Sequence, residues 1–263
     1  MPSHNDRAGG DPVARAGNRP AGPACPVCRF ETCRDFVAYN NIDLFSCADC
    51  GTVFMHPLPT AEEVAEIYDD SYDGATTGYF AKVDKKMRRA RGRMRYLSRF
   101  VGSGRFLDIG CNGGFMVEAA RERGFEAHGL DMDGVSIAYA RKHCPENRYF
   151  HGTVERFAAA AEAPRFDLVY CSEVIEHVPD VHGFVSAIAE LLGPDGVLFI
   201  TTPDISHWRR SRDLLAWDAF CPPSHCIYFN PGSLKLLLER YGLRVIRRRP
   251  AFKPGIKLVC RRR

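Results

Sequence analysis

Between residues 105 and 263 the apolar positions change period repeatedly. RFLDIG (105–110), FEAHGLD (125–131), RYFHG (148–152), FDLVYCS (166–172) and GVLFITTP (196–203) are short apolar runs of the length of buried strands. Between them, GGFMVEAARERG (113–124), GVSIAYARKHC (134–144) and VHGFVSAIAELLG (181–193) carry apolar residues at helical spacing. PGSLKLLLERYG (231–242) is a further helix, with proline in its first turn and glycine past its end. LRVIRRR (243–249) and IKLVCRR (256–262) close the chain as two strands expected to pair antiparallel. Strands alternating with helices predict an α/β fold, a doubly wound, Rossmann-like sheet that is mostly parallel.

The first hundred residues read differently. Residues 1–24, rich in Gly, Pro, Arg, Asn and Asp, are expected to be a disordered tail. Residues 25–58 hold two CxxC pairs, Cys25/Cys28 and Cys47/Cys50, with eighteen residues between the pairs. Two tight knuckles flanked by turn formers, with strand-like alternation between them, predict a zinc ribbon whose four thiolates close a structural Zn2+ site. Residues 59–100 form a helical connector. Thr60 followed by Ala-Glu-Glu is a helix start. Residues 82–100 are a basic helical segment with a partial apolar stripe of Met87, Met94, Leu97 and Val101. Its Lys and Arg residues could meet RNA or an anionic substrate, but the favoured reading is a solvated outer face of a helix that covers the next domain.

Composition narrows the class only slightly. The 263 residues are 45% hydrophobic, with a formal charge of +4, which permits an acidic substrate without requiring nucleic acid. No apolar run approaches the roughly 18–20 residues of a membrane helix. Eleven cysteines, four of them in one metal-like cluster, suit a reducing compartment, so a cytoplasmic location is expected.

In doubly wound sheets ligands bind outside the carboxyl ends of the strands. The first strand ends in LDIGCNGG, a Gly-rich turn into a helix. Small residues there let a ligand approach the backbone, although such a turn alone fits a dinucleotide equally well. The second strand ends in Asp131, an acid placed to accept ribose hydroxyls. HGTVERF follows the third. These stretches, with FDLVYCSEVIEHV, resemble class I S-adenosylmethionine-dependent methyltransferases over residues 101–263. The ribbon followed by CGTVFMHPLPTAEEVAEIYDDSY resembles a group carrying a zinc ribbon before that domain. The resemblance implies a cofactor site of Asp108, Gly110, Cys111, Asn112, Gly114, Asp131, Met132, Thr153, Val154 and Ser172. Gly110 and its neighbours would lie against the methionine part, Asp131 would hold the ribose, Thr153 and Val154 would border the adenine, and Asp108 would tie the loop as a turn cap. Asn112 stands where the commoner motif has glycine; asparagine tolerates positive φ.

CSEVIEHV (171–178) carries the catalytic candidates Glu173, Glu176 and His177, with His225 downstream at the same end of the sheet. If the segment turns as a helix, Glu173 and Glu176 share a face beside His177. The pattern ExxEH with a later histidine resembles the small-RNA 3′-terminal 2′-O-methyltransferases and the ubiquinone-pathway O-methyltransferases, in which a metal is expected to hold vicinal oxygens. A Mg2+ or Mn2+ site, a metal-free His177 base and a purely structural helix start stay open together. Residues 201–225 form a long insertion with both tryptophans, read as lining the substrate site. The acceptor expected is a hydroxyl on a small molecule or a glycan. The alternatives are a metal-dependent methylation of an RNA 3′ end and C-methylation of a deoxysugar.

Overall fold

The computed structural model describes residues 22–60, 62–64 and 82–263. The expected tail lies almost wholly outside these residues, as does most of the first half of the connector. What is described of that connector begins with a capping box. The Glu63 amide donates to Thr60 Oγ1 (3.2 Å), and the Thr60 amide donates to Glu63 Oε2 (2.7 Å).

Three short strands come first: β1 (Cys33–Tyr39), β2 (Ile42–Cys47) and β3 (Val53–His56), an antiparallel meander. Helix α1 (Val83–Leu97) follows and buries Ala90, Met94 and Leu97, one stripe at helical spacing. The main sheet is then built from β4 (Gly104–Ile109), β5 (Phe125–Asp131), β6 (Arg148–His151), β7 (Phe166–Ser172) and β8 (Leu192–Thr202). The intervening helices are α2 (Phe115–Arg121), α3 (Gly134–His143), α4 (Val154–Ala158) and α5 (Val181–Leu191). A two-residue strand, β9 (Ile227–Tyr228), leads into α6 (Pro231–Arg240), and β10 (Leu243–Arg248) and β11 (Ile256–Arg262) finish the chain.

The seven-stranded order is β10-β11-β8-β7-β4-β5-β6. β4 to β8 pair in parallel, while β11 runs antiparallel to both β8 and β10. This is the doubly wound, Rossmann-like α/β sheet that the sequence predicts, with β11 as its antiparallel closing strand. Its central strands are buried on both sides. Phe106, Leu168, Tyr170, Phe199 and Val259 face α1 and α2, and Leu107, Val169, Ile200 and Leu258 face the opposite core. That two-sided burial is why these segments are nearly continuous apolar runs.

The N-terminal strands are not a separate unit. β9 pairs antiparallel with β3 and completes a four-stranded sheet β1-β2-β3-β9. One apolar core runs from Val27, Leu44 and Phe54 to Tyr228, Leu234 and Ile188. A boundary at residue 58 therefore leaves out a strand that comes from 170 positions later, because a three-strand meander of this size has one apolar face to cover and β9 and α6 cover it.

Candidate active site

The loop between β4 and α2 is held in a shape that few residues adopt. Gly110 sits at φ +75°, where a Cβ would lie 2.5 Å from Val174 Cγ2. Asn112 adopts φ 45°, and its side-chain oxygen accepts from the Gly113 amide (2.7 Å). Gly114, at φ +77°, starts α2 with its Cα against Tyr149. Asp131 at the end of β5 braces this loop: one carboxylate oxygen accepts from the Asn112 amide (2.7 Å) and the other from the Asp133 amide (3.0 Å). Burial pushes the Asp131 carboxyl up, against these backbone donors.

Asp108 is different. Its carboxylate is buried, caps no turn, and leaves Oδ1 without a hydrogen-bond partner. Burial, and secondly the charge of Asp131, hold its pKa well above the carboxylate range, while Arg93 pulls it down. The expectation that Asp108 ties the loop is thus corrected: the neighbouring backbone amides are taken by Asp131 instead.

A cavity of about 880 Å³ opens over these strand ends. Asp108, Gly110, Cys111, Asn112, Asp131 and Met132 line it, as do Thr153, Val154 and Ser172. Gly114 stands behind the wall as the helix start. Thr153 caps α4, its hydroxyl accepting from the Arg156 amide (3.2 Å). The basic helix also reaches this cavity: Lys86, Arg89 and Arg93 of α1 are part of its wall. Reading that helix as a solvated cover was incomplete. The charges spread around the whole helix, so composition did not show which of them turn inward.

CSEVIEHV does not continue as an α-helix. Glu173 leaves β7 at φ 58°, and only Ile175–His177 form one 3-10 turn. The two glutamates consequently diverge. Glu173 Oε1 accepts from Thr201 Oγ1 (2.7 Å), and Glu176 Oε2 accepts from Thr202 Oγ1 (2.9 Å). Consecutive residues of β8 point to opposite faces, so the carboxylates lie on opposite sides of the sheet end. Glu173, which was expected beside Glu176, lines the cavity on the α1 side.

On the other side Glu176, His177 and His225 offer ligand atoms that all lie within 4.8 Å of one another. Glu176 is 1% exposed, with Oε1 buried and unpartnered. Burial first, then the charge of Glu173, push its pKa up to about 8. His177 and His225 meet edge to face, ring centroids 4.5 Å apart. Each donates Nδ1–H to a backbone carbonyl, His177 to Ser224 (2.7 Å) and His225 to Ala219 (2.8 Å). A carbonyl accepts only, so each ring carries its proton at Nδ1 and its lone pair at Nε2. Burial and the neighbouring His225 push His177 down to about 4. Of the three, His177 is the one that lines the cavity.

The 201–225 insertion supplies those carbonyls but none of the lining residues. Trp217 is buried, and Trp208 is 81% exposed against the Arg209 guanidinium. The insertion backs the histidine pair from outside rather than forming the acceptor wall, a correction that follows from its apolar residues packing on β9.

The four cysteines converge as the spacing predicts. Sγ of Cys25 and Cys50 are 3.6 Å apart, and those of Cys28 and Cys47 3.4 Å. All four lie within 4.8 Å of one another. Tetrahedral Zn–S bonds of about 2.3 Å place sulfurs about 3.8 Å apart, so the set fits. Amides of Val27 and Cys50 point at Cys25 and Cys47 sulfurs (3.4 and 3.5 Å), and Arg29 and Gly51 turn each knuckle at positive φ. The Cys50 thiol is pushed down to about 5, chiefly by its hydrogen bond with Cys25.

A family model described as a methyltransferase domain matches residues 79–248. The chain is 41% identical over 103 residues to a ubiquinone biosynthesis O-methyltransferase of Actinobacillus pleuropneumoniae, across 36% of this chain and 44% of the relative. The chain thus spans less than half the length of that curated relative. Its fold is similar to that of Burkholderia thailandensis 1,6-didemethyltoxoflavin-N1-methyltransferase, solved with S-adenosylhomocysteine (TM-score 0.57, 16% identity, 87% of this chain and 98% of that one). It is likewise similar to the magnesium protoporphyrin IX methyltransferase of Synechocystis, also with S-adenosylhomocysteine (TM-score 0.57, 14% identity, 75% and 99%).

Proposed function

Since the chain belongs to the methyltransferase domain family, we propose that it is an S-adenosylmethionine-dependent O-methyltransferase whose acceptor is a hydroxyl on a small molecule or glycan. The observation that carries this reading is one cavity lined by two chemically distinct groups. The loop that begins at Gly110, together with Asp131, lines it from the ends of β4 and β5, and Glu173 and His177 line it from the segment after β7. The first group suits the cofactor. Asp131 would take the ribose, Thr153 and Val154 would border the adenine, and the unpartnered Asp108 would face the cationic amino-acid end. The relative named as an O-methyltransferase supports oxygen as the atom methylated.

Methyl transfer from a sulfonium is an in-line displacement. The C–S bond breaks as the O–C bond forms, and the hydroxyl proton must leave. His177 is suited to receive it at Nε2. Its tautomer is fixed by the Ser224 carbonyl, and burial keeps it neutral. A base held this low still suffices, because the attacking oxygen becomes strongly acidic as its bond to carbon forms.

A second reading is favoured by the unpartnered Glu176 Oε1 beside two neutral imidazoles. Glu176, His177 and His225 would hold a divalent ion such as Mg2+ or Mn2+, which would act as a Lewis acid on the acceptor oxygen. In the N-terminal sheet, Cys25, Cys28, Cys47 and Cys50 would hold a structural zinc ion.

The test is label transfer from methyl-labelled S-adenosylmethionine into fractionated extract, with wild type and His177→Ala. We expect label in small molecules or glycan, lost in the variant, with S-adenosylhomocysteine binding retained. Loss on mild chelation and recovery with Mn2+ would select the metal reading. Turnover surviving both His177→Ala and Glu176→Ala would refute the assignment of this cluster.

A further inference from the structure

The sheet end on the α1 side carries a cationic group that the reaction above does not use. Tyr170, Phe199 and Val259 form one cross-strand row on β7, β8 and β11, and Ser172, Thr201 and Lys257 form the next row toward the cavity. By the two-residue period, both rows face α1. Arg93 of α1 donates from Nη1 to the Tyr170 hydroxyl (2.7 Å), at the end of the first row. Lys257 occupies the second row, half-buried beside Thr201. Arg249 is tied to it, because its amide donates to the Lys257 carbonyl (2.9 Å). The Arg249 guanidinium lies over the Tyr96 ring of α1 (4.4 Å), which turns it back toward the helix.

Arg93 thus lines the cavity, while Lys257 and Arg249 stand behind that wall on the same α1 side of the sheet, in and beside the row that ends at Ser172. Like charges brought together at a partly buried position repel unless an anion joins them. Among the described residues none of Arg93, Arg249 and Lys257 has a carboxylate within ion-pair distance. Glu173 is the carboxylate whose field reaches Lys257, and one of its oxygens is held by Thr201. Burial first, and then the fields of Arg249 and Arg93, lower the Lys257 pKa. Against these three cations stand the charge of Glu173 near Lys257 and the buried Asp108 near Arg93, whose pKa is held well above the carboxylate range; among the described residues neither closes an ion pair, so positive charge is in excess beside Ser172 and Glu173 of the cavity wall.

We propose that Arg93, Arg249 and Lys257 form a subsite for an anionic group, a phosphate or a carboxylate, carried by the methyl acceptor. The proposal rests on the O-methyltransferase reading for the word acceptor; the anion site itself stands on the geometry. Arg93, forked and planar, suits bidentate contact, and Lys257 adds a point charge. The cofactor carries a single carboxylate, so three cations exceed what it needs. A neutral acceptor would leave them facing one another.

The full-length protein saturated with S-adenosylhomocysteine is titrated calorimetrically with pyrophosphate and, separately, with benzoate. Saturable binding of one of them is expected, weakened about tenfold or more in Lys257→Met and in Arg249→Gln, as loss of a charge-assisted contact implies. Affinity for S-adenosylhomocysteine should stay at the wild-type value in both variants, which also reports that they fold. Pyrophosphate binding assigns a phosphate-bearing acceptor, and benzoate binding a carboxylate-bearing one. The proposal is overturned if neither anion saturates, or if both variants bind it as wild type does. It is also overturned if Lys257→Met weakens S-adenosylhomocysteine, because the cations would then serve the cofactor. No turnover is needed, so failure of the label-transfer assay and failure of this isotherm are separate results.

Discussion

Asn230 joins the cysteine module to the methyltransferase sheet, and its replacement should cost more than a helix cap. Its side-chain oxygen accepts from the amides of Gly232 (2.8 Å) and Ser233 (2.9 Å) at the start of α6. Its side-chain nitrogen donates to the Cys50 carbonyl (2.7 Å), inside the second knuckle. Asn230→Ala removes both. Losing an N-cap costs about 1 kcal/mol, and leaving a part-buried carbonyl without its donor costs about 1–2 kcal/mol more. The sum, about 2–3 kcal/mol, corresponds to a fall in Tm of about 4–12 °C for a chain of this size. Asn230→Asp separates the two terms. It keeps an oxygen for the cap, where negative charge is favourable, but sets an anion against the Cys50 carbonyl and its neighbouring sulfurs. Destabilisation of Asn230→Asp by about 1–2 kcal/mol, with faster release of zinc to a colorimetric chelator, is therefore expected. Denaturant titrations and zinc release measure both. The coupling is refuted if Asn230→Ala lies within about 0.5 kcal/mol of wild type, or if Asn230→Asp matches wild type in stability and in zinc retention.

Two further outcomes follow from the same geometry. Asp131→Ala deprives the Asn112 and Asp133 amides of their acceptor as well as removing the group assigned to the ribose, so calorimetry should find no S-adenosylhomocysteine binding; unchanged affinity would sink the assignment. Cys47→Ser removes one of four converging sulfurs, and elemental analysis should show the metal lost together with the order of β1–β3; a full equivalent of zinc in that variant would exclude a four-thiolate site.

Much of this architecture was legible because its signals are local. The apolar runs ending at Ile109, Asp131 and Ser172 are strands, since each is buried on both faces and needs no polar alternation. The cysteine cluster was legible because CxxC geometry is set within four residues. What could not be read depends on one backbone angle or on distant pairing. Glu173 at φ 58° turns the chain out of β7 two residues before the 3-10 turn, and that sends Glu173 and Glu176 to different sides. No spacing rule reveals it, because glutamate is not a residue that marks such a bend. The pairing of β3 with β9 joins residues about 170 apart in sequence, and two-residue strands leave no periodicity.

That pairing changes how the histidine pair should be understood. The Met55 amide donates to the Cys226 carbonyl (3.0 Å), and the Cys226 amide donates to the Glu176 carbonyl (2.9 Å). A short ladder therefore runs from the strand after the second cysteine knuckle, through the residue next to His225, to the backbone of Glu176. His177 and His225 are aimed by carbonyls of the same insertion that β9 ends. An insertion of this length with only single turns of its own has little to fix its position. Here a sheet held by four cysteines on one side and the methyltransferase core on the other fixes it. The cysteine module thus supports, through β3 and β9, the insertion whose carbonyls orient His177 and His225, whereas the loop that Asp131 braces is packed against Val174 and Tyr149.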